Sequence, residues 1–310
     1  MTDPALRTTA VRRSRRRAAR GLAGTSLVLL LAVICTWIPG AIGTAGAVLL
    51  PWAGVALLAV LVLALVFARR TLFVVLVPVV VWAMAIAPSL PSLTATAGTS
   101  ELTIVSQNVR AHSGGAAASA EELADSGVDV IALVELDADS LAAAQETLAA
   151  RYPHSYAVGT VGVWSRYPLA DAEPLSLGLG WKRALRVTVQ TPDAATAVYV
   201  LHAASVRPGR QDDRDTMLAG LAQTVAADPA ASLVVVGDFN AASTDPAMNA
   251  LRAEVDWVRP TDGSLGLTWP AAFPVTRIDQ VFTRGMTVES STTMRAGNSD
   301  HLATRTVLGG

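Results

Sequence analysis

The chain has only one lysine, Lys182, and only one cysteine, Cys35, among its 310 residues. Because a disulfide joins two cysteines, the folded parts of the chain must hold together by packing, which about 200 residues can achieve. Tight nucleic-acid binding usually uses a basic face rich in Lys and Arg. With 15 basic and 24 acidic residues, positions 101–310 lack the overall positive charge of such a face, although a local basic patch stays open.

Charge is also missing from long parts of the first hundred residues. No charged residue occurs between Gly21 and Ala68, and after Arg69 and Arg70 none occurs again before Glu101. A helix rises 1.5 Å per residue, so about 20 apolar residues cross a hydrocarbon core of roughly 30 Å. Three spans fulfil this length, and we predict that they form membrane helices: 21–38, 47–68 and 71–87.

The arginines around these spans predict an orientation. Six of them precede the first span between positions 12 and 20, the first loop at 39–46 is uncharged, and the second loop carries Arg69 and Arg70. The positive-inside rule then places the N-terminus in the cytoplasm and everything after Ala87 outside the cell membrane. Alternatively, the first span is a signal peptide with a cleavage site at 45–47, but the two later spans would still anchor the chain.

Composition divides the chain into four parts. We predict a basic, disordered cytoplasmic tail at 1–20, a three-helix membrane anchor at 21–87, a linker rich in Pro, Ser, Thr and Ala at 88–100, and an outer domain at 101–310. The outer domain has 15 basic and 24 acidic residues, a net charge of −9. Its apolar runs alternate with helical stretches, which predicts a mixed α/β architecture with more than one sheet.

Polar residues in the outer domain follow the apolar strand-like runs, at the point where each run ends. Taken singly, each has a structural explanation, such as a helix cap, a turn former, a partner for an arginine or a core histidine. Together they are costly to bury unless they bind a cation or one another. The residues in question are Asn108, Glu135, His202, Asp238, Asn240, Asp279, Asp300 and His301.

These residues lie in stretches that resemble the endonuclease/exonuclease/phosphatase superfamily, the metal-dependent group related to DNase I. The order and spacing of the matching stretches extend over nearly the whole outer domain, and GDFN and SDH are the most specific of them. The stretches are SQNVR (106–110), ALVELD (132–137), VWSRYPL (163–169), YVLHAAS (199–205), VVVGDFNAASTDP (234–246), TW (268–269), RIDQVF (277–282) and GNSDHLAT (297–304).

The resemblance implies a DNase I-like four-layer sandwich, in which two mixed β-sheets are flanked by helices, and a divalent-metal-dependent hydrolase of phosphate esters. Glu135 would be the principal metal ligand, with Asn108 and Asp300 close to the metal. Mg²⁺, or Mn²⁺, suits carboxylate and amide oxygens better than Zn²⁺ does. The lipid bilayer is an expected partner, and no protein partner can be inferred.

The resemblance also implies the catalytic roles. His301, oriented by Asp279, would contact the scissile phosphate. Asp238 would position or deprotonate the attacking water, and Asn240 would bind a phosphate oxygen. His202 would stabilise the transition-state charge or protonate the leaving group. Trp269 and Arg277 are candidates for lining the phosphate pocket, and Trp269 is alternatively a core residue. Three further arginines could grip a phosphate chain but are interpreted as a solvated face: Arg207, Arg210 and Arg214.

Several alternatives remain open at the level of sequence. The substrate could be a nucleic acid, a lipid headgroup or a small phosphorylated metabolite, because the shared motifs concern only the phosphate. The stretch HAAS, which begins at His202, lacks the second histidine or proline that many relatives carry nearby, which leaves the secondary substrate contacts open. A non-catalytic binding module on the same fold is a further alternative, but such a module should have lost part of the polar set. A transporter is disfavoured because the spans carry no ionisable residue.

Overall fold

The computed structural model describes residues 4–92, 100–207 and 211–310. The chain divides into two compact units, one formed chiefly by residues 1–89 and the other by most of residues 90–310. Most of the predicted linker, residues 93–99, lies outside the described residues.

The first unit consists of three long helices: α1 (Pro4–Cys35), α2 (Ala41–Phe67) and α3 (Leu72–Ile86). Three stretches are long and apolar enough to cross a membrane, as the uncharged spans predict: Arg16–Cys35 within α1, Ala41–Phe67, which is α2, and Arg69–Ser89, which is α3 with its flanking 3₁₀ turns. A 3₁₀ turn at Arg69–Thr71 joins α2 to α3. The predicted disorder of the basic tail is wrong from Pro4 onward. Arginine and alanine are good helix formers, and α1 continues through them without a break.

Within its described residues, the second unit contains twelve strands and four α-helices. The helices are α4 (Ala116–Asp125), α5 (Ala138–Leu148), α6 (Gln211–Ala227) and α7 (Asn249–Arg252). The strands are β1 (Ser100–Asn108), β2 (Val130–Val134), β3 (His154–Val158), β4 (Val161–Ser165), β5 (Leu169–Leu175), β6 (Ala184–Gln190), β7 (Ala195–His202), β8 (Leu233–Asp238), β9 (Asp256–Trp257), β10 (Asp279–Arg284), β11 (Thr287–Met294) and β12 (Ala303–Gly309).

The strands form two six-stranded mixed sheets. The first has the order β11-β12-β1-β2-β4-β3, and the second has the order β5-β6-β7-β8-β10-β9. In each sheet one central pair is parallel, β1 with β2 and β7 with β8, and the flanking pairs are antiparallel. This arrangement confirms the predicted mixed architecture with more than one sheet.

The two sheets pack face to face through a layer of branched aliphatic side chains. Ile104 and Val130 of the first sheet belong to the same buried cluster as Val187, Val200 and Val234 of the second. These strands are buried on both faces because helices cover their outer sides, so their sequences read as continuous apolar runs. Helices α4 and α5 cover the first sheet, and α6 covers the second.

Helix α6 shows how the sequence generates this layer. Leu218, Leu221 and Val225 recur at spacings of three and four residues, which places them on one side of a helix. All three are fully buried against the second sheet, whereas Gln223 between them is exposed. Burial of this apolar stripe holds α6 on the sheet.

We therefore expect Leu221→Ala to destabilise the second unit by about 2–5 kcal/mol, because it leaves a cavity in a layer that cannot fully relax. The midpoint of urea unfolding, followed by tryptophan fluorescence, measures the effect. Gln223→Ala is the matched control on the exposed side of the same helix and should leave the midpoint nearly unchanged. Equal midpoints for both variants would contradict the assigned packing of α6.

Candidate active site

The polar residues that follow the strands collect at one edge of the two sheets. Parallel strands β1 and β2 run toward this edge, as do β7 and β8, so the residues at their carboxyl ends come together. Strand β10 is antiparallel to β8 and begins where β8 ends, which pairs Asp279 with Asp238. Strand β12 is antiparallel to β1, so the loop before it returns to the same place.

Asn108 connects the two sheets at this edge. Its amide nitrogen Nδ2 donates hydrogen bonds to Glu135 Oε2 at 2.6 Å and to Asp238 Oδ2 at 2.9 Å. Its oxygen Oδ1 accepts a hydrogen bond from the backbone N–H of Arg110 at 2.9 Å. One buried amide therefore holds a carboxylate of each sheet.

Glu135 and Asn240 have unusual backbone conformations. Glu135 has φ of 61° and Asn240 has φ of 47°, in the left-handed region that non-glycine residues rarely adopt. The backbone N–H of Asn240 donates to Asp238 Oδ1 at 2.8 Å, and its side-chain Nδ2 donates to the Ala203 carbonyl at 3.0 Å. Such strain persists where surrounding contacts impose it, and it is common at functional sites.

Asp279 and His301 form a buried pair. His301 Nδ1 lies 2.9 Å from Asp279 Oδ2, and both side chains are almost inaccessible to solvent. Burial by itself lowers the pKa of His301, but the charge and hydrogen bond of Asp279, together with the charges of Asp238 and Asp300, raise that pKa to about 9. The pair therefore presents a protonated imidazole to the cluster at neutral pH.

Asp238 is the carboxylate at the centre of the cluster. Burial and the negative charge of Asp279 raise its pKa to about 7, although His301 and the hydrogen bonds from Asn240 and Asn108 oppose the shift. A carboxylate whose pKa lies near neutrality is suited to accept a proton.

Asp300 lies at the open side of the site. Its side chain is 39% exposed, and Arg110 Nε lies 3.9 Å from its Oδ1. Ser299, to which the sequence motifs assigned no role, fixes the loop before β12. Its Oγ donates to the Asn108 carbonyl at 2.5 Å and accepts from the His301 N–H at 3.0 Å. Ser299 thereby connects the end of β1 to Asp300 and His301, the two residues that follow Ser299.

His202 is buried beside the cation Arg183, which no motif in the sequence indicated. The guanidinium Nη2 of Arg183 lies 2.7 Å from Nε2 and 2.8 Å from Nδ1 of His202. Glu135 Oε2 lies 3.9 Å from His202 Nε2 on the other side. Burial, followed by the charges of Arg183 and His301, lowers the pKa of His202 well below its usual value. The permanent cation here is therefore Arg183, and His202 is neutral.

Arg183 also contacts an exposed aromatic ring. Its Cζ lies 5.2 Å from the ring centroid of Trp181, and about half of the Trp181 surface is open to solvent. Burial lowers the pKa of Arg183, while the charges of Asp238 and Glu135 oppose that shift. A cation and an aromatic ring thus stand next to the carboxylate cluster.

Arg214 is fully buried, so the interpretation of this residue as part of a solvated face is wrong. Its Nη1 donates to the Asn240 carbonyl at 3.1 Å, and its Nη2 and Nε contact Asp215 Oδ1 at 2.5 and 2.8 Å. A helical pattern should have signalled this, since Arg214 lies on the same side of α6 as Met217 and Leu218. Arg207 is exposed, and Arg210 lies outside the described residues.

Trp269 and Arg277 occupy a neighbouring hairpin. Trp269 pairs with Thr276 across it and is partly exposed. The N–H of Ala271 in the same hairpin donates to the Asp300 carbonyl at 2.7 Å, which brings this segment to the site. Arg277 is buried instead: its Nη2 donates to the Val258 carbonyl at 3.1 Å, and its Cζ lies 4.8 Å from the Trp257 ring centroid. Burial lowers the pKa of Arg277 to about 10, and the negative charge of Asp279 opposes that shift, so Arg277 senses the cluster electrostatically.

Two groups of side chains are candidates for holding a metal ion. Asp238, Asp279 and His301 place potential ligand atoms within 4.8 Å of one another, but the hydrogen bond between Asp279 and His301 already occupies the imidazole Nδ1. Glu135, whose side chain is 35% exposed, and Asp300 offer partly open carboxylates. Hard cations that keep several waters prefer such oxygens.

The orientation of Asn108 qualifies its predicted role as a metal ligand. Its amide nitrogen, rather than its oxygen, faces Glu135, so its oxygen reaches a cation beside Glu135 only if the amide rotates by 180°. As it stands, Asn108 orients the carboxylates. Glu135 and Asp300 need no such rotation to present carboxylate oxygens, because both side chains are partly exposed.

Comparison with known proteins agrees with this geometry. The model of the Endonuclease/Exonuclease/phosphatase family matches residues 105–301, which is more than half of the chain. The chain belongs to this family. The expected DNase I-like arrangement of two mixed sheets flanked by helices is therefore confirmed for this family member. A search of curated proteins gives no significant match.

Solved structures share the fold of the second unit. D. rerio TDP2 complexed with a single-strand DNA product is 18% identical, with a TM-score of 0.59, over 67% of this chain and 99% of that one. Sphingomyelinase C from Streptomyces griseocarneus is 17% identical, with a TM-score of 0.52 and coverages of 67% and 99%. A beta toxin variant from Staphylococcus aureus with bound magnesium ions is 14% identical, with a TM-score of 0.52 and the same coverages.

The half-open carboxylate of Glu135 generates a prediction about metal binding. We expect Glu135→Gln to weaken Mn²⁺ binding at least about tenfold, because the variant removes a charged oxygen ligand but keeps the side-chain shape. Calorimetric titration of the full chain in detergent measures the dissociation constant. Asp139→Asn, an exposed residue in the first turn of α5, is the control for loss of one negative charge. If both variants bind Mn²⁺ as the unchanged protein does, Glu135 is not a ligand.

Proposed function

We propose that the chain is a membrane-anchored, divalent-metal-dependent hydrolase of phosphate esters. The observation that carries the proposal is the hydrogen-bonded convergence of Asn108, Glu135, Asp238, Asp279 and His301 at one edge of the two sheets. A non-catalytic module would not need to keep buried carboxylates and a buried imidazole together, because their burial is unfavourable without a use for them.

Glu135 and Asp300 would hold the metal, and Asn108 would join them after rotation of its amide. Mg²⁺ or Mn²⁺ suits this oxygen set. When bound, such an ion neutralises charge on phosphoryl oxygens and lowers the pKa of bound water. The remaining roles fall to side chains of the chain itself.

His301 would bind the scissile phosphate as a cation. Asp279 fixes its tautomer through the 2.9 Å hydrogen bond to Nδ1, which leaves Nε2 for the substrate. Asp238 would accept a proton from the attacking water, since its carboxylate lies between Asn108 and Asn240 at the centre of the cluster. Asn240 would direct its amide to a phosphate oxygen, with its backbone held by Arg214.

Arg183 changes the role proposed for His202. A neutral imidazole pressed against a guanidinium is a poor proton donor, so we propose that His202 and Arg183 act together. Arg183 would supply positive charge to the phosphate in the transition state, and His202 would orient Arg183 and donate a hydrogen bond.

Trp269 would line the substrate entrance. Arg277 would support the adjacent loop from beneath rather than contact the phosphate.

The proposed location follows from the arginine distribution. Residues 1–20 would form a basic cytoplasmic segment, 21–87 a multi-pass anchor in the cell membrane, 88–100 a linker and 101–310 an extracytoplasmic catalytic domain.

Tethering at the membrane supports one substrate class more than the others. An anchored active site meets lipids and cell-surface molecules at high effective concentration, which favours a lipid-headgroup phosphodiesterase. A domain charge of −9 disfavours the extended electrostatic grip that nucleic acids require. Assaying plasmid DNA, RNA, sphingomyelin, phosphoinositides and nucleotides in parallel tests this choice, and preferential cleavage of DNA would reverse it.

The full chain in detergent should hydrolyse bis-(p-nitrophenyl) phosphate when Mg²⁺ or Mn²⁺ is present and lose that activity in excess EDTA. His301→Ala should lower kcat at least about 10²-fold, because it removes the cation that contacts the phosphate. His154→Ala, at the edge strand β3 and away from the cluster, is the control and should retain full activity. Turnover that persists in EDTA, or normal turnover by His301→Ala, would refute the proposed chemistry.

The orientation predicts a protease-protection pattern. Protease added to spheroplasts should digest the region after Ser100 and spare an epitope tag placed at the N-terminus, because only the former lies outside. Immunoblots with tags at both ends measure this. Protection of the C-terminal tag together with digestion of the N-terminal one would show the opposite orientation.

A further inference from the structure

A cavity of about 750 Å³ opens at the end of the second apolar helix. Its walls come from three elements of the first unit: helix α1, the last turn of α2 and the 3₁₀ turn at Arg69–Thr71. The lining residues are Arg16, Ala19, Val66, Phe67, Ala68, Arg69 and Arg70. The metal-binding and catalytic residues proposed above all belong to the second unit, so this cavity is a separate feature.

Three guanidinium groups share this cavity without a carboxylate in their own segment. Residues 4–100 contain no Asp and no Glu. Arg69 Nε donates to the Leu65 carbonyl at 3.1 Å. This carbonyl is neutral, so the guanidinium has no opposite charge within the described residues 4–92 of its own segment. Like charges held together repel, so an anion from outside the segment would stabilise the arrangement.

The positive-inside rule and the helix dipole account for only part of this arrangement. They explain why arginines flank the end of an apolar helix. They do not require Arg16, on another helix and more than fifty positions earlier in the sequence, to line the same cavity as Arg69 and Arg70. The convergence of the three residues is a tertiary feature.

The cavity also has an apolar wall. Val66 is 64% exposed and Phe67 is 59% exposed, and both line the cavity beside the arginines. An inorganic anion would use the arginines but not this wall. An amphiphile with an anionic head would contact both the arginines and the apolar wall. Anionic phospholipids are such amphiphiles, and they surround the cytoplasmic ends of membrane helices.

We propose that this cavity binds the phosphate headgroup of an anionic phospholipid. The planar guanidinium groups would form paired hydrogen bonds with phosphate oxygens, and the first acyl carbons would lie against Val66 and Phe67. A volume of about 750 Å³ is sufficient for a complete headgroup. The bound lipid would link α1 to the turn between α2 and α3.

The test is a titration of the full chain in detergent micelles with short-chain phosphatidylglycerol, followed by tryptophan fluorescence or native mass spectrometry. Saturable binding is expected. Arg16→Gln should weaken it about fivefold, the effect of one arginine near an anionic lipid. Arg17→Gln, the adjacent and exposed arginine that does not line the cavity, is the matched control and should bind nearly as the unchanged chain does.

A second variant tests the opposite wall. Joint replacement of Arg69→Gln and Arg70→Gln should weaken binding about 25-fold, whereas joint replacement of Arg17→Gln and Arg20→Gln should not. Equal losses in the cavity variants and the control variants would show diffuse attraction and overturn the proposal. Equal affinity for inorganic phosphate or phosphatidylcholine would overturn the assignment to an anionic lipid.

Discussion

Two buried carboxylates, Asp238 and Asp279, stand opposite each other on β8 and β10, and the chemistry of the site depends on how their repulsion is relieved. Buried like charges cannot both remain ionised without a compensating cation. His301 supplies one positive charge through its hydrogen bond to Asp279, and Asn108 and Asn240 donate hydrogen bonds to Asp238. The two carboxylates create a negative electrostatic potential at the place where a metal cation, and through it a phosphate, would bind.

The central strands of the two sheets, which bring Asp238 and Asp279 together, could be predicted from the sequence, whereas the edge strands could not. The apolar runs of β1, β2, β4, β7 and β8 are visible in the sequence because these strands are buried on both faces. The strands without such a signal are β3, β5, β9 and β11, which are the four edge strands of the two sheets. Their side chains are mostly half-buried or exposed, as in Thr287–Met294, so no apolar run marks them.

The same distinction applies to the candidate site. Residues placed directly by a strand end, such as Asn108, Asp238 and His301, could be selected from the sequence because position along a strand determines which edge they reach. Arg183 and Ser299 could not, since their roles arise from contacts with residues that are not their neighbours in the sequence. The helical pattern of α6 could have indicated that Arg214 is buried, but not that it holds the Asn240 carbonyl. A motif match also could not reveal that Arg277 faces Trp257 and Val258.

The distribution of positive charge limits how a substrate can reach the site. Nine of the 24 basic residues lie in the first hundred positions, and the outer domain has a net charge of −9. A phosphate ester is therefore repelled by the net charge of this domain once it comes within the Debye length, about 8–10 Å at physiological ionic strength. At larger distances salt screens the repulsion. Attraction must come from a few local cations, namely Arg183, Arg110, the protonated His301 and the metal that Glu135 would hold. The proposed site would therefore favour substrates that present one phosphate to a confined spot, and the proposed membrane anchor would supply the encounter rate that long-range charge does not.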